Sequence, residues 1–256
     1  MRLITLKPTG RSFGRAAGVK NLTVAAYVVM KITVVIPAYN EARVLDGVIR
    51  AVREHADEVV VVDDGSTDQT ASVARAAGAV VVSHCLNRGQ GATLQTGILL
   101  ALGRQADIIV TFDADGQLVA EEIDEVVTPL LRGEADVVLG SRFLDRRKLQ
   151  PSGIPAVKRA VLRLATLITR WYTGLPVTDT HNGFRAFRRS AAEVIALKQG
   201  RMAHASEIIE QIEKHGLTFK EAPVSVRYTA YSLQKGQRLS HSFGILWDLL
   251  LSRLSK

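Results

Sequence analysis

Short apolar segments alternate with amphipathic ones through the first 140 residues of the chain. Each apolar segment is rich in β-branched side chains and bounded by polar residues, which predicts buried strands. The predicted strands cover residues 32–36, 59–62, 79–82, 107–112 and 135–139. Apolar residues recur at helical spacing between them, with Asn40 the predicted N-cap of the first helix and Ser66 or Thr67 that of the second. The alternation predicts an α/β fold, a mainly parallel sheet flanked by helices.

The second half of the chain is more basic and predicts amphipathic helices. Residues 142–163 hold seven basic residues and one acidic residue. Helices are predicted at 156–172, 205–215 and 241–254, a loop and strand at 179–189, and further strands at 217–228. The last helix packs on the domain or lies in a membrane interface. Arg185, Arg188 and Arg189 form either a solvated face or part of a functional site.

The ends of the chain differ from its middle. Residues 1–29 carry five basic and no acidic residues, which predicts a flexible basic extension or an arm that touches a membrane surface. We predict one folded α/β domain at 30–240 and a C-terminal amphipathic helix at 241–256. With 256 residues and 47% hydrophobic content, the chain is long enough to bury a sizeable core.

Net charge indicates which classes of partner the protein binds, and cysteine content indicates its redox compartment. The net charge of +8 favours anionic partners such as nucleotides or phospholipid headgroups. Aromatic residues make up only 5% and no nucleic-acid-binding motif is visible, so nucleic acid is not expected as a partner. The single cysteine, Cys85, precludes an internal disulfide and indicates a reducing, cytoplasmic compartment. No apolar run approaches the ~20 residues of a transmembrane helix.

Acidic and polar side chains follow several of the predicted strands. They are Glu41, the pair Asp63 and Asp64, the pair Asp113 and Asp115, and Arg142. The carboxyl ends of parallel strands share one edge of the sheet, so these residues are expected to line one crevice. Carboxylate oxygens suit Mg²⁺ or Mn²⁺, which also bind substrate phosphates, although an Asp-x-Asp-Gly sequence can equally be a solvated turn. The chain has neither a Gly-x-Gly-x-x-Gly loop after its first strand nor a P-loop.

Five motifs stand in a recognisable order. They are Val35–Glu41 (VIPAYNE), Val62–Asp68 (VDDGSTD), Asn87–Gly91 (NRGQG), Asp113–Gln117 (DADGQ) and Gly140–Phe143 (GSRF). The chain resembles GT-A-fold glycosyltransferases of family 2, and in particular the dolichyl-phosphate (polyprenyl-phosphate) mannose synthase branch, over about residues 31–238. The resemblance implies a C-terminal acceptor-side subregion and action at the inner face of the membrane.

The resemblance also implies roles for individual residues. The implied pocket for the nucleotide-sugar consists of Pro37, Tyr39, Glu41, Val62, Asp64, Asp113, Ala114, Asp115, Gln117, Arg227 and Lys235. Among these, the implied metal ligands are Asp113, Asp115 and Gln117. Arg142 and Arg159 are implied to hold an acceptor phosphate, and the implied catalytic residues are Asp113, Asp115 and Arg142. Departures from the family pattern include Gln90, where a lysine is common, and Arg163, where a small hydroxyl residue is common.

The implied reaction is an inverting transfer of a sugar from GDP-mannose or a UDP-sugar to a polyprenyl phosphate. A phosphate acceptor is already anionic and needs arginines rather than a general base. A hydroxyl acceptor, as in cell-surface polysaccharide synthesis by a soluble family 2 enzyme, needs a base, for which Asp179, His181 and Glu207 are candidates. A nucleotidyltransferase and a non-catalytic nucleotide-sugar binder are less favoured alternatives. The first lacks its glycine-rich signature here, and the second has no need of the intact aspartate pair.

Overall fold

The computed structural model describes residues 2–5, 27–144, 156–198 and 204–227. Within them the strands are β1 Arg2–Thr5, β2 Tyr27–Met30, β3 Ile32–Ala38, β4 Glu58–Asp63, β5 Val80–Ser83, β6 Ile108–Thr111, β7 Val137–Ser141, β8 Arg185–Arg188 and β9 Phe219–Pro223. The α-helices are α1 Leu45–Arg53, α2 Thr70–Ala76, α3 Gln90–Gly103, α4 Ile123–Leu131, α5 Ala156–Thr173, α6 Arg189–Val194 and α7 His204–Lys214. The predicted C-terminal helix and Lys235 lie outside the described residues.

Seven strands form one mixed sheet in the order β5-β4-β3-β6-β8-β7-β9. All neighbouring pairs are parallel except the two that involve β8, which runs antiparallel to β6 and to β7. The carboxyl ends of β3, β4, β6 and β7 therefore share one edge with the amino end of β8. The prediction of a mainly parallel sheet flanked by helices is confirmed.

Two hydrophobic layers cover the sheet, one on each face. Side chains alternate between the layers along a strand, so Val34 and Ile36 of β3 join one layer while Val35 joins the other. The first layer contains residues of α1, α2 and α4, and the second contains residues of α3, α6 and α7. This double burial explains why the strands are continuous apolar runs. At Gly97, α3 comes so close to β3 that an added Cβ would collide with the Val35 side chain.

The helix starts differ from the predicted caps. Asn40 does not cap α1, which begins only at Leu45 after a turn. Asn40 instead has a positive φ of 53°, and its side-chain oxygen accepts a hydrogen bond from the Thr67 backbone N–H. Neither Ser66 nor Thr67 caps α2, since Asp68 accepts the hydrogen bond from the Thr70 N–H at its start. The Asn40–Thr67 bond joins the loops after β3 and β4.

The first segment of the chain contributes one further element. Strands β1 and β2 pair antiparallel, with Arg2 opposite Met30 and Thr5 opposite Tyr27. Residues 2–5 and 27–29 of the predicted flexible extension are thus strand residues, and the nature of residues 6–26 stays a prediction. Among the described residues, no helix combines the length and the hydropathy needed to cross a membrane.

Candidate active site

The aspartate pair lies directly after β6, at the edge where the strand ends meet. The Asp113 carboxylate accepts a hydrogen bond from the Gln90 side-chain amide at 3.2 Å, and Asp115 accepts one from the Gln117 backbone N–H at 3.0 Å. Burial, followed by the negative charge of Asp115, raises the pKa of Asp113 to about 7. Two carboxylates that repel each other in a desolvated site are suited to a divalent cation.

The metal-ligating side chains available here suit a metal ion that also binds substrate. Among the described residues, no three His, Cys, Asp or Glu side chains cluster closely enough to hold a metal by themselves. Asp113 and Asp115, with the amide oxygen of Gln117, would supply a partial set, and substrate phosphates and water would supply the rest. Mg²⁺ is commonly bound in this way, through one or two carboxylates and a diphosphate.

Arg142 and Asp179 form a buried ion pair beside this site. The guanidinium donates two hydrogen bonds to the carboxylate, from Nε at 2.6 Å and from an Nη at 2.8 Å. Burial acts to raise the pKa of Asp179, but the charge and hydrogen bonds of Arg142 outweigh it and hold that pKa below its usual range. Asp179 is therefore ionised near pH 7 and fixes the guanidinium at the end of β7.

A second arginine, Arg185, is fully buried between the two acidic groups. It opens β8, where it pairs with Thr111 of β6 and Leu139 of β7, and its guanidinium donates to the Thr180 carbonyl at 2.8 Å. Burial lowers the pKa of Arg185 to about 10, and the charges of Asp113 and Asp179 oppose that shift. Arg185 thus remains charged and balances both carboxylates.

The other two arginines of this stretch have structural roles. Arg188 donates to the Leu130 carbonyl at the end of α4, and Arg189 donates to the carbonyls of Leu102 and Ala106. None of the three arginines forms a solvated face, so that interpretation is wrong. Only Arg185 belongs to the site.

The Asp-x-Asp loop is joined to the segment after β9. Leu118 forms an antiparallel bridge with Val226, and the Gln117 carbonyl accepts a hydrogen bond from the Arg227 N–H at 2.7 Å. The buried Glu122 carboxylate anchors the same segment through two hydrogen bonds from Ser225, at 2.7 and 2.8 Å. The backbone of Arg227 is thereby held at Gln117, two residues after Asp115.

Asp64, in the second motif, makes three polar contacts. Its oxygens accept hydrogen bonds from the backbone N–H groups of Arg88 and Gly89, at 2.9 and 2.8 Å, and one contacts the His84 ring at 2.7 Å. Asp63 holds its own turn by accepting from the Ser66 N–H. Asp64 therefore also ties the end of β4 to the start of α3.

Comparison with known proteins identifies the chain. Residues 33–196 match the family model of glycosyl transferase family 2. The chain belongs to glycosyl transferase family 2. An uncharacterized protein of Methanocaldococcus jannaschii is 39% identical over 88% of this chain and 93% of its own length. The UDP-N-acetylglucosamine–dolichyl-phosphate N-acetylglucosaminyltransferase of Methanococcus voltae is 31% identical over 88% of this chain and 97% of its own length.

Solved structures agree on the fold of this family 2 glycosyltransferase. Glucosyl-3-phosphoglycerate synthase from Mycobacterium tuberculosis superposes with a TM-score of 0.66 at 24% sequence identity, over 88% of this chain and 80% of its own. The same synthase has been crystallised with Mg²⁺ and uridine diphosphate. The chain therefore has the GT-A fold.

The predicted nucleotide-pocket residues of this glycosyltransferase differ in how their side chains lie. Tyr39 is exposed and Glu41 is buried near the sheet edge, whereas the side chains of Val62 and Ala114 lie in the hydrophobic layers. Contacts of Val62 or Ala114 with a nucleotide would have to come from their backbone. The side chain of Arg159, on α5, lies outside the described atoms. The nucleotide-pocket assignments stay predictions.

Three contributors were missed. Glu122 stands in an acidic pair at the start of a helix, which is an ordinary position for a carboxylate. Its sequence position therefore does not reveal that it anchors the segment after β9. In the sequence, Gln90 is only a departure from the family pattern, and Glu221 lies in no motif. Glu221 accepts hydrogen bonds from the N–H and hydroxyl groups of Thr178, and so positions the segment that carries Asp179. Pairing across 43 residues leaves no trace in local sequence patterns.

Proposed function

We propose that the protein is a metal-dependent, inverting glycosyltransferase that moves a sugar from a nucleoside-diphosphate donor to a polyprenyl phosphate at a membrane surface. The observation that carries the proposal is the placement of an aspartate pair and a buried Arg142–Asp179 ion pair at one sheet edge. The first suits the diphosphate of a donor with its cation, and the second places a fixed cation where an anionic acceptor would approach. The named M. voltae relative uses a dolichyl phosphate.

The residues divide the reaction between them. A divalent cation at Asp113 and Asp115 would neutralise the departing diphosphate as a Lewis acid. Arg227, whose backbone N–H is bound to the Gln117 carbonyl, would contact the same diphosphate. Arg142 would orient the acceptor phosphate in line with the anomeric carbon of the sugar, because its own geometry is fixed by Asp179.

The candidates for a general base favour an anionic acceptor. Asp179 is ion-paired and its pKa is lowered, so it is a poor proton acceptor. The two side-chain oxygens of Glu207 both accept a hydrogen bond from the Lys198 N–H. Burial lowers the pKa of His181 to about 4, which makes it a weak base at neutral pH. A phosphate acceptor needs none of these groups as a base.

Helix α5 supports action at a membrane surface. Leu164, Leu167 and Trp171 are 49%, 57% and 78% exposed and lie on one side of the helix, next to the exposed Arg163 and Arg170. Exposed apolar residues flanked by arginines suit an interface with anionic lipid headgroups. We expect binding to anionic vesicles that Leu167→Glu weakens and Leu99→Glu, at an exposed site on α3, does not.

The function is tested by sugar transfer from UDP-glucose, UDP-N-acetylglucosamine and GDP-mannose to polyprenyl phosphate in detergent, with Mg²⁺, Mn²⁺ or EDTA. We expect a metal-dependent lipid product with one donor, lost in Asp115→Asn and retained in the surface control Asp46→Asn. Hydrolysis of the donor without a lipid product would indicate that the acceptor is a hydroxyl compound and not a polyprenyl phosphate. If the protein neither binds nor turns over any of these donors, the enzyme assignment is wrong.

A further inference from the structure

Three consecutive residues near the site carry buried polar atoms that no described group satisfies. The atoms are Thr180 Oγ1, both ring nitrogens of His181, and Asn182 Nδ2. Almost all buried polar atoms in proteins have a hydrogen-bond partner, and one without a partner costs roughly 1–3 kcal/mol. Such a concentration on one short loop indicates that a bound molecule supplies the missing partners.

The loop lies between the two halves of the proposed active site. Asp179, immediately before it, forms the ion pair with Arg142. Gly183, immediately after it, lies so close to the Asp113 carboxylate that any side chain there would collide with it. The chain thus passes from the proposed acceptor side to the proposed diphosphate side in residues 180–182. In a glycosyl transfer, the reacting sugar must lie between these two sides.

We propose that Thr180, His181 and Asn182 form the subsite that recognises the hydroxyl groups of the transferred sugar. The proposal rests on the proposed function and specifies which residues select the donor sugar. A neutral imidazole offers one donor and one acceptor, the Asn182 amide offers donors, and the threonine hydroxyl offers both. Sugar hydroxyls also both donate and accept, whereas a phosphate only accepts near neutral pH.

The charges nearby support a neutral ligand group at this loop. Burial lowers the pKa of His181, and although the charge of Asp179 acts to raise it, the positive charges of Arg142 and Arg185 lower it further, so the imidazole is uncharged near neutral pH. The arginines and the aspartates already balance one another around the loop. Recognition here therefore depends on the positions of hydroxyl groups, which is how related sugars differ.

Binding measurements can distinguish contacts to the sugar from contacts to the nucleotide. UDP, UDP-glucose, UDP-N-acetylglucosamine, GDP and GDP-mannose would be titrated by calorimetry, in the presence of Mg²⁺, into wild type and three variants. His181→Phe keeps a ring without nitrogens, Thr180→Val keeps the shape without the hydroxyl, and Asn182→Asp keeps Oδ1, which accepts from the Phe184 N–H. Ser206→Ala removes a partnerless buried hydroxyl on α7 and is the matched control.

We expect wild type to bind one nucleotide-sugar more tightly than its nucleotide, and His181→Phe to lose about 5- to 50-fold of that difference. The affinity for the nucleotide alone should stay within about twofold in every variant. A deoxy-sugar donor that lacks the hydroxyl contacted by His181 should bind wild type and His181→Phe equally well. Ser206→Ala should behave as wild type throughout.

The outcomes separate the two proposals. If wild type binds and transfers a sugar but the variants keep the full difference between nucleotide-sugar and nucleotide, the loop does not contact the sugar and the inference is wrong. If wild type binds no nucleotide-sugar at all, the proposed function itself fails. A variant that loses nucleotide affinity equally with sugar affinity would assign the loop to the nucleotide, which also overturns the sugar subsite.

Discussion

The Arg142–Asp179 pair makes a quantitative prediction about stability. The Asp179 side chain is 1% exposed and that of Arg142 is 11% exposed, and two hydrogen bonds join them. Removing one partner of a buried ion pair leaves the other charge uncompensated, which costs about 3–5 kcal/mol. Asp179→Asn keeps the shape of the side chain and removes its charge. We expect it to lower the free energy of unfolding at pH 7 by about 3 kcal/mol.

Urea denaturation followed by circular dichroism measures this difference. The control is Asp46→Asn, which breaks an exposed pair with Arg50 on α1 and should leave the free energy of unfolding nearly unchanged, because solvent screens such pairs. A double-mutant cycle with Arg142→Gln then isolates the interaction between the two side chains. A loss below about 1 kcal/mol in Asp179→Asn would refute the view that this pair is desolvated and needed to fix Arg142.

The pH dependence of that difference has a defined sign. The pKa of Asp179 is lower in the folded protein than in the unfolded chain, where it is close to 3.9. The stability that its ionisation contributes is therefore fully present above about pH 4 and is lost as the pH falls through the folded pKa. We expect wild type and Asp179→Asn to differ by a constant amount from pH 7 to pH 5 and to converge at lower pH.

Three further predictions concern the surroundings of the site. Gly183→Ala should reduce kcat about 100-fold by displacing the adjacent carboxylate, whereas Gly47→Ala, which meets nothing within 4 Å in α1, should leave transfer unchanged in a steady-state assay. Glu122→Gln should raise the donor KM about tenfold, because it loosens the segment that holds Arg227; an unchanged KM would contradict this anchoring. His181, with a pKa of about 4 against about 6.5 when unfolded, should make wild type lose roughly 3 kcal/mol of stability between pH 6.5 and 4. His181→Phe should lack that part of the loss in urea titrations at each pH.

Much of the fold could be read from the sequence because strand and helix patterns are local. Buried parallel strands must be apolar on both faces, so their short β-branched runs are visible without any knowledge of the fold. The acids that follow β3, β4 and β6 could be assigned to one edge, since parallel strands place their carboxyl ends together. The family motifs added the identity of the reaction class, which strand patterns alone do not carry.

Tertiary structure decided how the site is completed. Strand β8 runs antiparallel between β6 and β7, so Arg185 and the loop before it reach the same edge from the opposite direction. Strand direction is set by pairing between distant segments, and the residues of β8 carry no local sign of it. The same holds for Glu122, which bonds to Ser225 103 residues later. Sequence alone thus determined the scaffold and its acidic edge. Long-range pairing determined which positive charges balance the carboxylates of that edge and which polar atoms remain for a substrate.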